Sequence, residues 1–438
     1  MCGIAGTHGR GLAGASAAPA LERAIEALGH RGPDETGRYI DDDVALGHTR
    51  LAIVDLNGGQ QPMQGAGGAT WVVFNGEIYN HVELREELRA RGHEFKSRSD
   101  TEVISHAYEE WGLDFPNHFN GQFSFALWDK RQRRLLLVRD RMGVRPLFYA
   151  RSSGRLAFAS EAKALLPLLE GGGARLDPKT LAQIFTLWAP VGGQTAFAGM
   201  QSLPPGHLLI AEGDGIELRR YWDWRLLQHP ESYDLAHLDS AAEELRALLI
   251  DAVRLRLRSD VPVGAYLSGG LDSSIITALV KTKTNNPLRT FSVTFEDAEF
   301  DEREHQQALV RHLNADHSSV TCTREDIGRA FPRTIFHTEM PILRTAPTPL
   351  MLLSGLVRES GYKVVLTGEG ADEVFGGYDL FKEAQIRRFW ARRPDSKMRP
   401  ALFRRLYPYL ATSPTASVAY AESFYRKGID APDDPFFA

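Results

Sequence analysis

The second residue of this 438-residue chain is a cysteine, in the run Met1-Cys2-Gly3-Ile4-Ala5-Gly6. Removal of Met1 leaves Cys2 with both a thiol and a free α-amine. A thiolate is a strong nucleophile, and an α-amine of ordinary pKa, about 7.7 to 8.0, accepts the thiol proton near neutral pH. Such a pair needs no distant histidine, although a cysteine in second place also arises by chance. A second stretch with chemistry in it is Ser268-Gly269-Gly270-Leu271-Asp272-Ser273-Ser274, which joins the apolar run ending at Leu267 to an apolar helical segment. Paired glycines let backbone N–H groups converge on an anion, serines add donors, and a helix N-terminus follows. The lysine of a Walker A loop is missing, which disfavours a P-loop enzyme. The plain alternative is a glycine turn capped by Asp272 or Ser273. A third stretch, Thr367-Gly368-Glu369-Gly370-Ala371-Asp372-Glu373, sets acids between glycines; alone it reads as a solvated loop.

These residues need elements to hold them. From Trp71 the chain alternates strands and turns: WVVFNGEIYN, QFSFALWD, RLLLVRD, PLFYA and RLAFAS. Helical spacing falls at Leu21 to Leu28 and Val82 to Arg91, the second with Asn80 as its expected cap. A junction is expected around residues 210 to 236, so that the domains are 1–210 and 236–438. Beyond it the pattern changes to helix Ala241 to Arg258, strand Gly264 to Leu267, helix Ser274 to Lys281, strand Thr290 to Phe295, helix Arg303 to Leu313 and strand Lys363 to Leu366. Strands alternating with helices predict an open parallel sheet with ligands at the carboxyl ends of its strands.

Bulk properties narrow the partners. A chain of this length with 43% apolar residues favours two cores over one. A net charge of -5 supplies no basic stripe for nucleic acid and no polybasic membrane anchor. Two cysteines, Cys2 and Cys322, make no disulfide framework, and the histidines are scattered without ligand spacing. Residues 13–20 are too weakly hydrophobic for a secretory signal. The expectation is a cytoplasmic protein with small-molecule partners, no nucleic acid and no membrane; a homodimer is a further expectation.

Five blocks together sharpen the reading of Cys2: Cys2-Gly3-Ile4-Ala5-Gly6, His30-Arg31-Gly32-Pro33-Asp34, Gly47-His48-Thr49-Arg50-Leu51, Asn75-Gly76-Glu77-Ile78-Tyr79-Asn80 and Asp100-Thr101-Glu102. In order and separation they resemble class II glutamine amidotransferases. The resemblance implies an α+β, four-layered (αββα) N-terminal-nucleophile glutaminase in which Cys2 attacks the glutamine side-chain amide. It gives the oxyanion donors to the Asn75 side chain and the Gly76 N–H, the glutamine carboxylate and ammonium to Arg50 and Asp100, and the amide edge to Glu77. A surface ion pair for Arg50 and a helix cap for Asp100 are the plain alternatives.

SGGLDSS in turn resembles the pyrophosphate loop of the ATP pyrophosphatase family, and the run from Thr367 to Tyr378 resembles the second signature of asparagine synthetases. Together they imply an α/β adenine-nucleotide domain that cleaves ATP between its α and β phosphates. ATP would meet Leu267, Ser268, Gly269, Gly270, Leu271, Asp272, Ser273, Ser274, Val293, Gly368 and Glu369. Asp272 and Asp372 would hold Mg2+, and Glu369 would stand near the acyl-adenylate as a base. Arg344 and Lys382 match basic positions near acceptor and phosphates, with surface cations as the alternative. The activity implied is amidation of aspartate to asparagine; a related carboxylate as acceptor, or a glutaminase without synthetase turnover, stays open. Synthetases of this type continue past Phe436-Phe437-Ala438, so the second domain is expected to be C-terminally incomplete.

Overall fold

The computed structural model describes residues 1–9, 11–12, 17–169, 171, 173–224, 237–407 and 418–429. The chain divides into two compact units, Met1–Gly269 with Ile276–Leu366, and Gly270–Ile275 with Thr367–Ala438.

The first unit opens with twelve strands: β1 (Gly3–His8), β2 (Glu35–Ile40), β3 (Val44–Arg50), β4 (Met63–Gln64), β5 (Thr70–Ile78), β6 (Gly121–Asp129), β7 (Arg134–Arg139), β8 (Phe148–Ser152), β9 (Arg155–Ala159), β10 (Met200–Ser202), β11 (His207–Glu212) and β12 (Gly215–Arg220). They form two antiparallel sheets, in the orders β10-β8-β9-β1-β3-β2 and β12-β11-β7-β6-β5-β4. The central strands are apolar on both faces because both faces are covered. In β6, Phe123, Phe125 and Leu127 point to the helices α2 (His81–Ala90) and α3 (Glu102–Trp111), whereas Ala126 and Trp128 point to the other sheet. The same alternation recurs in β7, with Leu136 and Val138 against Leu135 and Leu137. Opposite, Ile4, Val44, Leu46 and Phe158 complete the space between the sheets, and α1 (Ala17–Ala27) covers the outer face of the first sheet. Each such buried large side chain stabilises by about 1.5–3 kcal/mol, so the interleaved rows hold the sheets together. The layering is αββα.

One local expectation is corrected, and one plain alternative is not met. Asn80 stands at the N-cap of α2 without capping it. Its Nδ2 donates to the His118 carbonyl at 3.0 Å and its Oδ1 accepts from Asn120 N at 2.9 Å, which ties the end of β5 to the start of β6. Asp100 does not cap α3 either, since its carboxylate turns to the N–H of Ile78 at 3.0 Å. The hairpin β11–β12 extends the second sheet through Arg220, and the Tyr221 hydroxyl donates to the Arg139 carbonyl at 2.8 Å. Residues 225–236, within the expected junction, lie outside the described residues, as does the terminal Phe436-Phe437-Ala438.

The same unit holds the parallel sheet. Strands β13 (Val263–Tyr266), β14 (Arg289–Phe295), β15 (Asp316–Cys322) and β16 (Val364–Leu366) lie in the order β15-β14-β13-β16. Val253 of helix Leu238–Arg256 and Val280 of helix Leu271–Lys283 pack on the face carrying Val263, Ala265 and Leu366. Leu353 and Val357 of helix Pro347–Glu359 pack on the opposite face, against Phe291. In the second unit, Trp390, Phe403, Leu406, Tyr425 and Ile429 form a small core of their own.

Candidate active sites

Cys2 lies just before β1, whose first residue pairs with Thr49 of β3, so the thiol meets the end of the Gly47–Leu51 run. Leu51 N donates to Cys2 Sγ at 3.4 Å, and Sγ lies 3.7 Å from the Leu51 carbonyl. The Cys2 carbonyl accepts from Arg31 Nε at 2.9 Å, and Arg31 is held in turn by Glu161 at 2.8 Å. Arg31 of the His30–Asp34 block therefore fixes the Cys2 backbone. His48, from the next block, is fully buried and its pKa is pushed down to about 3 by that burial. Neutral, it bonds the Phe74 carbonyl at 3.1 Å and links β3 to β5.

One cavity of about 410 Å³ gathers the expected residues: Cys2, Arg50, Asn75, Gly76, Glu77 and Asp100 all line it. A side chain at Gly76 is impossible, because its Cβ would come within 2.2 Å of the Gln122 carbonyl. Asn75 is buried, with Nδ2 3.4 Å from Ser124 Oγ and Oδ1 without a partner. Arg50 is also buried, and its guanidinium already donates to Glu35 at 2.9 Å, the Leu56 carbonyl at 3.1 Å and the Asp55 carbonyl at 2.7 Å. It is a frame for the loop after β3 as well as a wall of the cavity. Burial raises the Asp100 pKa, and burial followed by the Asp100 charge pushes Glu77 up to about 8. Burial likewise raises the Cys2 thiol, while it pushes the neighbouring Met1 amine down to about 5. Burial thus favours the neutral form of each of these two groups.

Sequence reasoning passed over other residues of this wall. Arg145, Tyr79 and Gln122 line the cavity, and so do Arg256, Tyr266, Lys363, Val364, Val365 and Leu366 from the parallel-sheet half. Arg145, with its Nε buried and unpartnered, carried a faint signal as an arginine between RLLLVRD and PLFYA. Lys363 carried none.

At the other site, Leu267 N donates to the Phe291 carbonyl at 2.9 Å, which carries the chain off β13. Gln306 Nε2 bonds the carbonyls of Ser268 at 3.1 Å and Val293 at 3.0 Å, so the loop and β14 share one clamp. Within the second unit, the Ser273 and Ser274 hydroxyls bond the Gly270 carbonyl at 3.2 and 2.7 Å. Gly368 lies so close to this turn that a Cβ would come 2.8 Å from Ser273 N and 2.9 Å from Asp272 Cβ. The two acidic glycine loops therefore touch, with Asp272 and Asp372 half-buried and Glu369 and Leu271 exposed. Each loop carries a carboxylate, the donor type a hard divalent ion takes, and the close approach at Gly368 joins the loops. Lys382 instead pairs with Asp379 at 2.6 Å, and Arg344 stacks on Trp188 at 4.2 Å.

Residues 1–222 match the family model of the glutamine amidotransferase domain, and residues 244–435 match that of asparagine synthase. The chain belongs to the glutamine-hydrolysing asparagine synthetase family. It is 36% identical to asparagine synthetase [glutamine-hydrolyzing] 3 of Bacillus subtilis, over 88% of this chain and 64% of that one. It is 33% identical to putative asparagine synthetase [glutamine-hydrolyzing] 2 of Methanocaldococcus jannaschii, over 82% and 72%. A family relative with another name, amidase chyE of Penicillium rubens, is 34% identical over 83% and 55%. The chain spans about three fifths of the length of the Bacillus subtilis relatives. Among the described residues no helix is long and apolar enough to cross a membrane.

Proposed function

We propose that this chain transfers the amide nitrogen of glutamine to a carboxylate activated by ATP, with aspartate as acceptor and asparagine, AMP and pyrophosphate as products. The observation that carries this reading is the single cavity reaching from the Cys2 thiol to Tyr266 and Leu366. Those two residues end the strands that run directly into SGGLDSS and TGEGADE.

After Met1 is removed, the Cys2 amine takes the thiol proton and the thiolate attacks the glutamine Cδ. Asn75 Nδ2 and Gly76 N–H receive the developing oxyanion, and removal of either donor raises the barrier by about 3 kcal/mol. The C–N bond breaks, the proton goes to the leaving nitrogen, and water cleaves the thioester to glutamate. Arg50 and Asp100 orient the substrate through its carboxylate and ammonium. At the second site the acceptor carboxylate displaces pyrophosphate from ATP, giving a mixed anhydride that ammonia opens with loss of AMP. Asp272 and Asp372 would hold Mg2+, which supplies charge neutralisation on the phosphates. Glu369, exposed on its loop, is the group to accept the proton from the attacking ammonia.

A second reading, amidation of another carboxylate, draws on the relative named as an amidase. The test incubates the protein with glutamine, Mg2+, ATP and aspartate, with mass spectrometry of AMP, pyrophosphate and asparagine. Asparagine and AMP formed together, with Cys2→Ala active on ammonia alone, support the proposal. Glutamate without AMP or asparagine overturns it in favour of a glutaminase without synthetase turnover or another acceptor.

A further inference from the structure

Far in sequence from either loop, the fold closes a cluster that spacing along the chain conceals. His93 follows α2, while His106 and Glu109 stand three residues apart on α3. His93 Nδ1 lies 3.1 Å from His106 Nδ1, and Glu109 Oε2 lies 4.0 Å from each. A tetrahedral ion with bonds of about 2.0–2.1 Å separates its ligand atoms by about 3.3 Å, so only Glu109 must move, by a small rotation. Its side chain has the room, being partly exposed, whereas His106 is fully buried.

Proton placement favours an ion between the rings. Behind the pair, His93 Nε2 lies 3.2 Å from Glu110 Oε2, and His106 Nε2 lies 3.8 Å from Glu102 Oε1. If the two neutral rings bond each other through Nδ1, the donating ring presents a bare Nε2 lone pair to a carboxylate. For His106 that nitrogen is also buried and without a hydrogen bond. With a cation between them, both Nδ1 atoms are ligands and both Nε2–H groups face carboxylates, the usual outer arrangement of metal-bound imidazoles. Two imidazoles and a carboxylate suit a borderline divalent ion, and a fourth position stays open to water.

We propose that His93, His106 and Glu109 bind one divalent transition-metal ion of the zinc class, which pins the turn after α2 to α3. The pin bears on the glutaminase wall. Glu102, behind His106, accepts from the N–H groups of Lys96 and Ser97 at 2.8 Å each, and so shapes the turn that leads to Asp100.

The test uses the untagged full chain carrying Cys2→Ala, so that the nucleophile binds no metal, stripped by chelation and titrated with Co2+. The expected result is one equivalent of Co2+ with the visible absorption of a tetrahedral site, displaced by Zn2+. His93→Gln should abolish that absorption, and Glu110→Gln should weaken binding about 10- to 100-fold. Because His106 is buried, the two variants are made at the more accessible positions, with unfolding temperature as the check that each is folded. Absence of the absorption in folded protein, or its survival in His93→Gln, overturns the proposal and leaves the rings sharing a proton.

Discussion

Lys363 Nζ donates to Asp34 Oδ2 across 2.6 Å, and that same oxygen accepts from Ala52 N at 2.8 Å. A residue leading into β16 is thereby fastened to the loops flanking the nucleophile. Partly exposed pairs of this kind stabilise by only about 0–1 kcal/mol, so the consequence to expect is positional. Lys363→Met should leave glutaminase turnover within about twofold and raise the ratio of glutamate to AMP above that of the parent, since the wall it closes would leak ammonia. Parallel assays of glutamate and AMP check this.

Cys2→Ser should lower glutamine-dependent turnover by about a thousandfold or more, because the buried hydroxyl is a far weaker nucleophile than the thiolate. Amidation supported by added ammonia should stay within about twofold of the parent. Steady-state kinetics with each nitrogen donor separates the two effects.

Glu77 changes charge near pH 8, where burial and the neighbouring Asp100 have moved it. Above that pH Glu77 is ionised beside Asp100; below it Glu77 is neutral. The KM for glutamine should therefore change between pH 7 and 9, and Glu77→Gln should flatten that change while matching the parent below pH 7. Profiles of kcat and KM against pH test it; an unchanged inflection in the variant counts against this assignment.

Gly368→Ala drives a methyl group against Ser273 N, 2.8 Å from the ideal Cβ position, and must part the two acidic loops. ATP-dependent AMP release should fall at least about tenfold, as a displacement near 1 Å can cost a hundredfold, with glutamine hydrolysis retained. Coupled measurement of both products distinguishes this from unfolding.

Glu161 accepts from Arg31 and His30 at 2.8 and 3.0 Å and pairs with Lys163. Burial opposes its charge, yet the His30 hydrogen bond and the Lys163 and Arg31 cations outweigh burial and hold the carboxylate well below its ordinary range. A depressed pKa contributes stability that is fully present above the unfolded value of about 4.3, begins to fall there and is lost only as pH drops through the depressed folded value. Glu161→Gln should destabilise by about 3 kcal/mol at pH 7, with the gap to the parent narrowing under acid. Urea unfolding at pH 7 and pH 4 measures both.

Much of this was legible in the chain. Period-two alternation is strong in β6 and β7 because two different layers are apolar, so these strands stood out. β1 and β3 were harder, since Gly3, Gly6 and Gly47 dilute the apolar pattern and read as motif rather than strand. The helix Arg324–Thr338 was overlooked although Thr323 and Asp326 form its capping box. The Cys2, Arg50, Asn75, Gly76, Glu77 and Asp100 side of the cavity came from recognisable blocks, but the lining added by Lys363, Val364 and Val365 depends on contacts between distant segments. The same is true of His93 and His106: thirteen residues apart, they meet only because α2 and α3 fold back on one another.

Ile53, Val54, Val364, Val365 and Leu366 give the Cys2 cavity an apolar stretch of lining. On the proposed reaction, an ammonium ion passing that stretch would shed hydration with no carboxylate on it to replace the water, which favours an uncharged travelling nitrogen. On the proposed reaction the consequence is isotopic. Amide-15N from glutamine should reach the product undiluted in a buffer whose unlabelled ammonium is too dilute to support the Cys2→Ala variant, because nitrogen passed along a hydrocarbon lining does not mix with the bulk pool.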